Sequence, residues 1–360
     1  MSRFFSNKYN NLKPYTPEEQ IQQKKTIVLN TNESPYPASS FVYRSIDQFE
    51  VDNLRKYSDS EANKLVKAIA ENFGVNENQV AVGNGSDEIL AFSFMAFQNQ
   101  DKKFYFPKVS YELYSVYSDV FGVNKIEIPL AEDLSINPED YFNLDGTIVI
   151  ANPNTPTGIA LTAIEVEEIV RTNRNNLVII DEAYVDFGAE SCVPLVEKFD
   201  NLLIIQTFSK SRNLAGARVG FAIANAEIIA DLNRIKFSFH SHNINRLSII
   251  AGTATMKDKD YLKKCVNEIK KTRERFSKGM EALGFIVLES KANFVFIRNN
   301  VLKGQEYFNA LRDKNILVRH YNNPEIMDYV RVTIGTPEQM ETFIKATKDI
   351  LGIEEPNEHS

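Results

Sequence analysis

Short, continuous apolar runs rich in β-branched residues alternate with helix-like patterns along the first two thirds of the chain. They are "VAVG" (80–83), "FYF" (104–106), "TIVIAN" (147–152), "LVIID" (177–181), "LLIIQT" (202–207) and "VGFAIA" (219–224). Strands that are apolar at every position are covered on both faces, which predicts a mostly parallel central sheet flanked by helices. Between them, Ser60 reads as an N-cap, Leu65, Val66, Ile69 and Phe73 follow at helical spacing, and Gly74 closes the helix. From Leu247 to Leu283 the pattern is helical and laced with charge, broken at "MKDKDY" (256–261), and predicts a long connector. After it, "ANFVFI" (292–297), a helix near 304–314, "ILVR" (316–319), "YVRVTI" (329–334) and a helix from Pro337 predict a compact α+β unit. The first 45 or so residues are expected to pack against that unit. The expected α/β architecture is a large domain over 46–250 and a smaller α+β domain built from 1–45 and 251–360.

Length agrees with that division, because 360 residues exceed the size at which a single core keeps growing. Forty-one basic against 48 acidic residues give a formal charge of −7, which argues against nucleic acid or a membrane surface as partner. Any anionic ligand must then be caught by local cations. Cys192 and Cys265 stand far apart with no CxxC spacing, so neither a disulfide framework nor a zinc ribbon is expected. The first residues hold no apolar core of signal-peptide length, and no run reaches the roughly 18 residues of a membrane span, so a cytoplasmic protein is expected. "HSHN" (240–243) has the spacing of a metal-ligand pair but no third ligand motif beside it, and no metal is expected. The acidic tail "EEPNEHS" (354–360) is expected to fray.

The chemistry gathers where strands end, the edge at which open α/β sheets bind ligands. "GNGSDE" (83–88) follows one strand and opens an apolar helix; Gly85, Ser86 and Asp87 there offer backbone N–H groups and a helix dipole to a phosphate, although Gly-Asn-Gly also makes ordinary turns. "DEAYVDF" (181–187) puts Asp181 at the mouth of the sheet, with Tyr184 close by. A carboxylate in that place can be a plain cap. The cap reading weakens beside "NPNTPTG" (152–158) at the preceding strand end and "TFSKSRNLAGARVG" (207–220) at the following one. Three strand ends in a row then offer an amide, a carboxylate with a phenol, and an amine flanked by hydroxyls. That set suits pyridoxal 5'-phosphate, which needs a Schiff-base lysine, an acid at its ring nitrogen and a phosphate grip. Lys210 would be the Schiff-base residue and Asp181 the acid. Tyr184 and Asn154 would donate to the ring hydroxyl, and Ser86, Ser209 and Arg218 would hold the phosphate.

"NPNTPTG", "DEAY", "SKSRNLAGARVG" and "VRVTIGT" together resemble the aspartate aminotransferase fold, fold type I, of pyridoxal phosphate enzymes. "NLKPY" (11–15), "LNTNESPYP" (29–37), "RKYSD" (55–59), "SYELY" (110–114) and "LVRHYNNPEIMDYVRVTIGT" (317–336) are similar to the histidinol-phosphate aminotransferase family in particular. The similarity runs from Tyr15 to about Gly352. It implies that Tyr111 stacks on the pyridine ring. It also implies that Tyr57 reaches the cofactor phosphate of a second subunit, hence a homodimer with shared active sites. Arg331 would bind the substrate carboxylate or phosphate, Arg319 and Tyr15 would line that pocket, and Asn32 would lie near the substrate. Two positions depart from the family pattern. Thr155-Pro156-Thr157-Gly158 stands for Asn-Pro-Thr-Gly, which leaves Asn154 or Thr155 for the ring hydroxyl, and Ser58 stands for the proline after the cross-subunit tyrosine.

The implied reaction moves an amino group between L-glutamate and imidazole-acetol phosphate, yielding L-histidinol phosphate. Lys210 would serve as both anchor and general base. Two relatives of the same fold stay open at this point: a decarboxylase of threonine phosphate, and a broader aromatic or aspartate aminotransferase. A non-catalytic sensing domain of a regulator is disfavoured by the acidic charge and by the shortness of the segment before "LNTNES".

Overall fold

A computed structural model describes residues 2–10, 12–16, 26–98 and 102–353. The tail expected to fray, and Asn11 of the "NLKPY" segment, lie outside the described residues. Seven strands form the main sheet, in the order Val80–Gly83, Gly220–Ala224, Leu202–Thr207, Val178–Asp181, Thr147–Ala151, Phe104–Pro107 and Lys125–Ile128. Gly220–Ala224 runs antiparallel to both of its neighbours, and every other pairing is parallel. The expected mostly parallel sheet is therefore present.

Its double burial is visible residue by residue. Ile148, Ile150, Val178 and Ile180 point into one apolar cluster, while Val149, Ala151 and Ile179 point into another on the opposite face. Continuous apolar strands are what such a sheet requires, and burying a side chain of this size on either face contributes about 1.5–3 kcal/mol. Lys125–Ile128 was not anticipated: it is an edge strand whose four residues are only half buried or exposed, so its "KIEI" lacks the apolar run.

The helix expected from Ser60 begins instead at Asn63, where Asp59 accepts the Asn63 N–H at 2.9 Å; Gly74 ends it in the left-handed conformation as expected. The break at "MKDKDY" narrows to Asp258, which ends the helix Arg246–Lys257 and caps the helix Lys259–Ala282 by accepting the Tyr261 N–H. The C-terminal unit holds a four-stranded antiparallel sheet, ordered Arg319–His320, Tyr329–Thr333, Phe294–Asn299 and Phe285–Val287. Helices Gly304–Asp313 and Pro337–Leu351 pack beside it. The N-terminal segment joins this unit: Ile27–Val28 pairs in parallel with Ile316–Leu317, and Leu29 accepts the Thr333 N–H. That join carries residues 29–32 across to the C-terminal edge of the main sheet. Among the described residues no helix is long and apolar enough to cross a membrane.

Candidate active site

Parallel strands Thr147–Ala151, Val178–Asp181 and Leu202–Thr207 end side by side, and a cavity of about 450 Å³ opens at those ends. Tyr15, Asn32, Ser86, Asp87, Tyr111, Asp181, Tyr184, Ser209, Lys210, Arg218 and Arg331 line it, together with Thr31, Thr155, Thr207 and Gly216. Residues more than 300 positions apart in sequence thus meet around one space.

Asp181 is the last residue of its strand and is buried. One carboxylate oxygen accepts the Ala183 N–H at 3.1 Å and the other accepts the Tyr114 hydroxyl at 2.9 Å. Burial raises its pKa to about 6, against the lowering pull of those two hydrogen bonds. A buried acid held this way ionises most readily against a cation placed on its cavity side.

Lys210 follows the neighbouring strand. Its Nζ donates to the Thr31 carbonyl at 3.0 Å and lies 5.7 Å from the centre of the Tyr184 ring. Tyr184 Oη accepts from Asn32 Nδ2 at 3.0 Å. Asn32 holds a left-handed φ of 55° and is pinned by bonds to Thr333 and Asn293. The small sheet therefore fixes Asn32, and Asn32 fixes the phenol beside the lysine.

On the other side of Lys210 stands an anion grip. The helix Ser86–Ala96 begins at the cavity, and the first N–H groups of a helix have no partner inside it. Arg218 Nη2 donates to Asp87 at 2.7 Å, and Tyr111 Oη donates to the other oxygen of Asp87 at 2.9 Å. Gly85 and Gly220 make this approach possible. A Cβ on Gly85 would lie 2.6 Å from Arg218 Nη2, and one on Gly220 would lie 2.3 Å from the Ser86 nitrogen. Ser209 faces the cavity while its N–H and Oγ bond to Thr207 Oγ1. The second serine of "SKSR" turns away: Ser211 donates to Asp186, which also pairs with the buried Arg212 at 3.0 Å. One serine faces the site and the other anchors the loop.

Arg331 comes from the small sheet and is buried at the cavity wall, donating to the Asn30 carbonyl at 2.6 Å and to Thr155 Oγ1 at 3.3 Å. Arg319 stands directly opposite it in the strand register and reaches Glu112 at 3.5 Å, in a neighbouring surface hollow shared with Tyr15 and His320. Gly85, Tyr57, Asn154 and Arg319 do not line the main cavity. Asn154 bonds to Val109 and Ser110 instead, whereas Thr155 faces in. Tyr57 is 86% exposed and stacks on His242, with ring centres 4.8 Å apart. Thr31, Thr207 and Tyr114 escaped the sequence reading, because each is ordinary in its own segment and gains meaning only from a distant partner.

This arrangement fits the cofactor that the sequence motifs suggested. A buried acid, a lysine, an arginine and a helix N-terminus line one cavity, with Gly85 and Gly220 letting Arg218 and the start of the helix approach closely. The family model for class I and II aminotransferases matches residues 24–346. A protein of Brachyspira hyodysenteriae named histidinol-phosphate aminotransferase is 50% identical over 352 residues, covering 98% of this chain and 99% of that one. One of Lactococcus lactis subsp. cremoris with the same name is 46% identical over 347 residues, covering 96% and 98%. The crystal structure of histidinol-phosphate aminotransferase from Sinorhizobium meliloti in complex with pyridoxal-5'-phosphate superposes with a TM-score of 0.87 at 22% identity, covering 98% of each chain.

The chain belongs to the class I and II aminotransferases and has their fold. It is an aminotransferase enzyme.

Proposed function

We propose that this enzyme transfers an amino group between L-glutamate and imidazole-acetol phosphate, giving L-histidinol phosphate in histidine biosynthesis. The observation that carries the reading is Arg331, a buried guanidinium at the wall of the lysine's cavity, in a chain 50% identical to a protein named for that substrate. A guanidinium is a planar fork that recognises a carboxylate or phosphate by paired, charge-assisted hydrogen bonds. Arg319 and Tyr15, which share the adjoining hollow, would border the same substrate pocket, and Asn32 orients Tyr184 next to the substrate.

Pyridoxal phosphate, when bound, supplies an aldehyde that takes up amines and a ring that draws electrons from the carbon next to them. The residues do the rest. Lys210 would hold the cofactor through its Nζ, and the same Nζ would act as the base that takes up and gives back the donor's α-proton. Asp181 keeps the ring nitrogen protonated. Tyr184, with Thr155 or Asn154, serves the ring hydroxyl, and Tyr111 covers the ring face. Gly85, Ser86, Asp87, Ser209 and Arg218 form the phosphate cradle. The domains assigned above, 46–250 against 1–45 with 251–360, would then meet at this cleft, in a cytoplasmic enzyme.

The same proposal includes a homodimer. Tyr57 projects from the protein at 86% exposure amid exposed Phe41, Tyr43, Phe49 and Leu54, an apolar surface of the kind a second subunit covers. Sedimentation at micromolar concentration should give twice the chain mass, and a purely monomeric enzyme of full activity would remove Tyr57 from the site.

Addition of L-histidinol phosphate to the yellow enzyme should exchange the absorbance of the lysine-bound cofactor for that of its aminated form. It should do so at a concentration roughly 10–100-fold below that needed for histidinol, since a charge-assisted pair to Arg331 is worth about 1.5–3 kcal/mol. Arg331→Ala should erase that preference by raising KM, with cofactor absorbance intact. Release of carbon dioxide from threonine phosphate, with glutamate inert, would replace the reading with the decarboxylase.

A further inference from the structure

Among the described residues, the Tyr114 hydroxyl is the one group besides the Ala183 N–H that hydrogen-bonds the Asp181 carboxylate. It lies in the helix Leu113–Phe121, fully buried in the cluster under the main sheet, with its ring edge-on to Tyr111 at 5.7 Å and to Phe106 at 5.9 Å. Packing alone does not call for a tyrosine, because phenylalanine would fill the same volume and make the same edge contacts. A hydroxyl in such surroundings is costly unless bonded, and this one is bonded to the acid of the active site. One turn earlier, Tyr111 faces the cavity. A single short segment therefore places one aromatic ring over the cofactor's position and one phenol behind its acid.

The two donors approach opposite oxygens of Asp181, so the plane of the carboxylate is fixed and its remaining lone pairs are directed at the cavity. A hydrogen bond donated to a carboxylate lowers its proton affinity, and it opposes the effect of burial here. Lys210, Asp87, Tyr111, Tyr117 and Tyr184 are other titratable groups acting on this pair. A proton shared between an acid and a ring nitrogen rests on whichever has the higher affinity.

We propose that Tyr114 is a positioning residue for the amino-transfer reaction: it aims the Asp181 carboxylate and weakens its hold on the shared proton, so that the proton stays on the cofactor's ring nitrogen. This rests on the assignment of Asp181 to that nitrogen.

The test uses Tyr114→Phe, reconstituted with cofactor labelled with ¹⁵N in the ring. The ring-nitrogen resonance should move toward the unprotonated value. Turnover, kcat, should fall about tenfold, the ratio corresponding to one lost hydrogen bond, with KM for glutamate unchanged. In cofactor-free protein, the ¹³C-carboxyl titration of Asp181 should shift upward by about one pH unit. Site-specific 3-fluorotyrosine at position 114, a stronger donor that preserves packing, should move that titration downward. Unchanged nitrogen and carboxyl signals in Tyr114→Phe, with only the melting temperature lowered, would make the residue a packing element and overturn the proposal. Asp181→Asn separates this from failure of the underlying assignment: a ring-nitrogen signal that ignores Asp181→Asn removes the assignment, and the proposal with it.

Discussion

Lys210→Ala should leave a folded protein that still takes up pyridoxal phosphate, reversibly, and turns over at least about 10⁴-fold more slowly than the parent. Two roles are lost at once. The covalent anchor disappears, and so does the base that moves the α-proton, which alone accounts for roughly 10²–10⁴ in rate. The fold should survive, because Lys210 makes its hydrogen bond to a single carbonyl, Thr31, at the cavity wall, while Ser211, Arg212 and Asp186 hold the loop from behind. Added methylamine should restore a fraction of the rate if the missing element is a base. The absorbance of the lysine-linked cofactor should vanish while free cofactor remains bound. A variant that keeps this absorbance would show that another amine carries the link.

Asp181→Asn should lower kcat by about 10²–10³, the size of effect seen when one fixed charge partner of a reacting system is removed. Affinity for the cofactor should weaken along with it, since the ring nitrogen loses its anionic partner. Stability should change with pH in a definite direction. Burial lifts Asp181 from 3.8 to about 6, so the folded cofactor-free chain binds this proton more tightly than the unfolded chain does. That contribution is fully present below pH 4 and is lost as pH rises through 6, a swing of about 3 kcal/mol. The asparagine variant lacks it. Relative to the parent, the cofactor-free variant should therefore gain stability between pH 4 and pH 7, which paired denaturant titrations at the two pH values would read. Glu182, buried nearby and raised to about 7, is present in both proteins and cancels in the comparison. Equal slopes would mean that Asp181 is not held as the structure shows.

Both experiments act on residues that stood out in the sequence, and the reason lies in where they sit. "LVIID" and "LLIIQT" are buried on both faces, so their apolar runs announce strands, and whatever polar residue follows such a run lies at the open edge of the sheet. Asp181 and Lys210 were legible for that reason. Edge elements were not. Lys125–Ile128 and Phe285–Val287 carry exposed positions, so their patterns resemble loops. The helix starts at Asn63 rather than after Ser60, because the N-cap position falls on Ala62, a residue type that gives no capping signal, while Asp59 reaches the Asn63 N–H from three residues further back.

The sequence by itself determined the fold class, the enzyme family and the local chemistry of each strand end. Local pattern and residue type are enough for that, since helix and strand periods and turn residues act over a few positions. Tertiary structure alone decided the company those groups keep. The Thr31 carbonyl meets Lys210 across 179 positions, Tyr114 meets Asp181 across 67, and Asn32 meets Thr333 across 301. Tertiary structure also turned Asn154 to buried partners beside the cavity and Thr155 into the cavity itself, a choice between adjacent polar residues that no spacing encodes. Such pairings depend on how the main sheet, its helices and the small sheet pack together, and packing at that range is set by the whole chain at once.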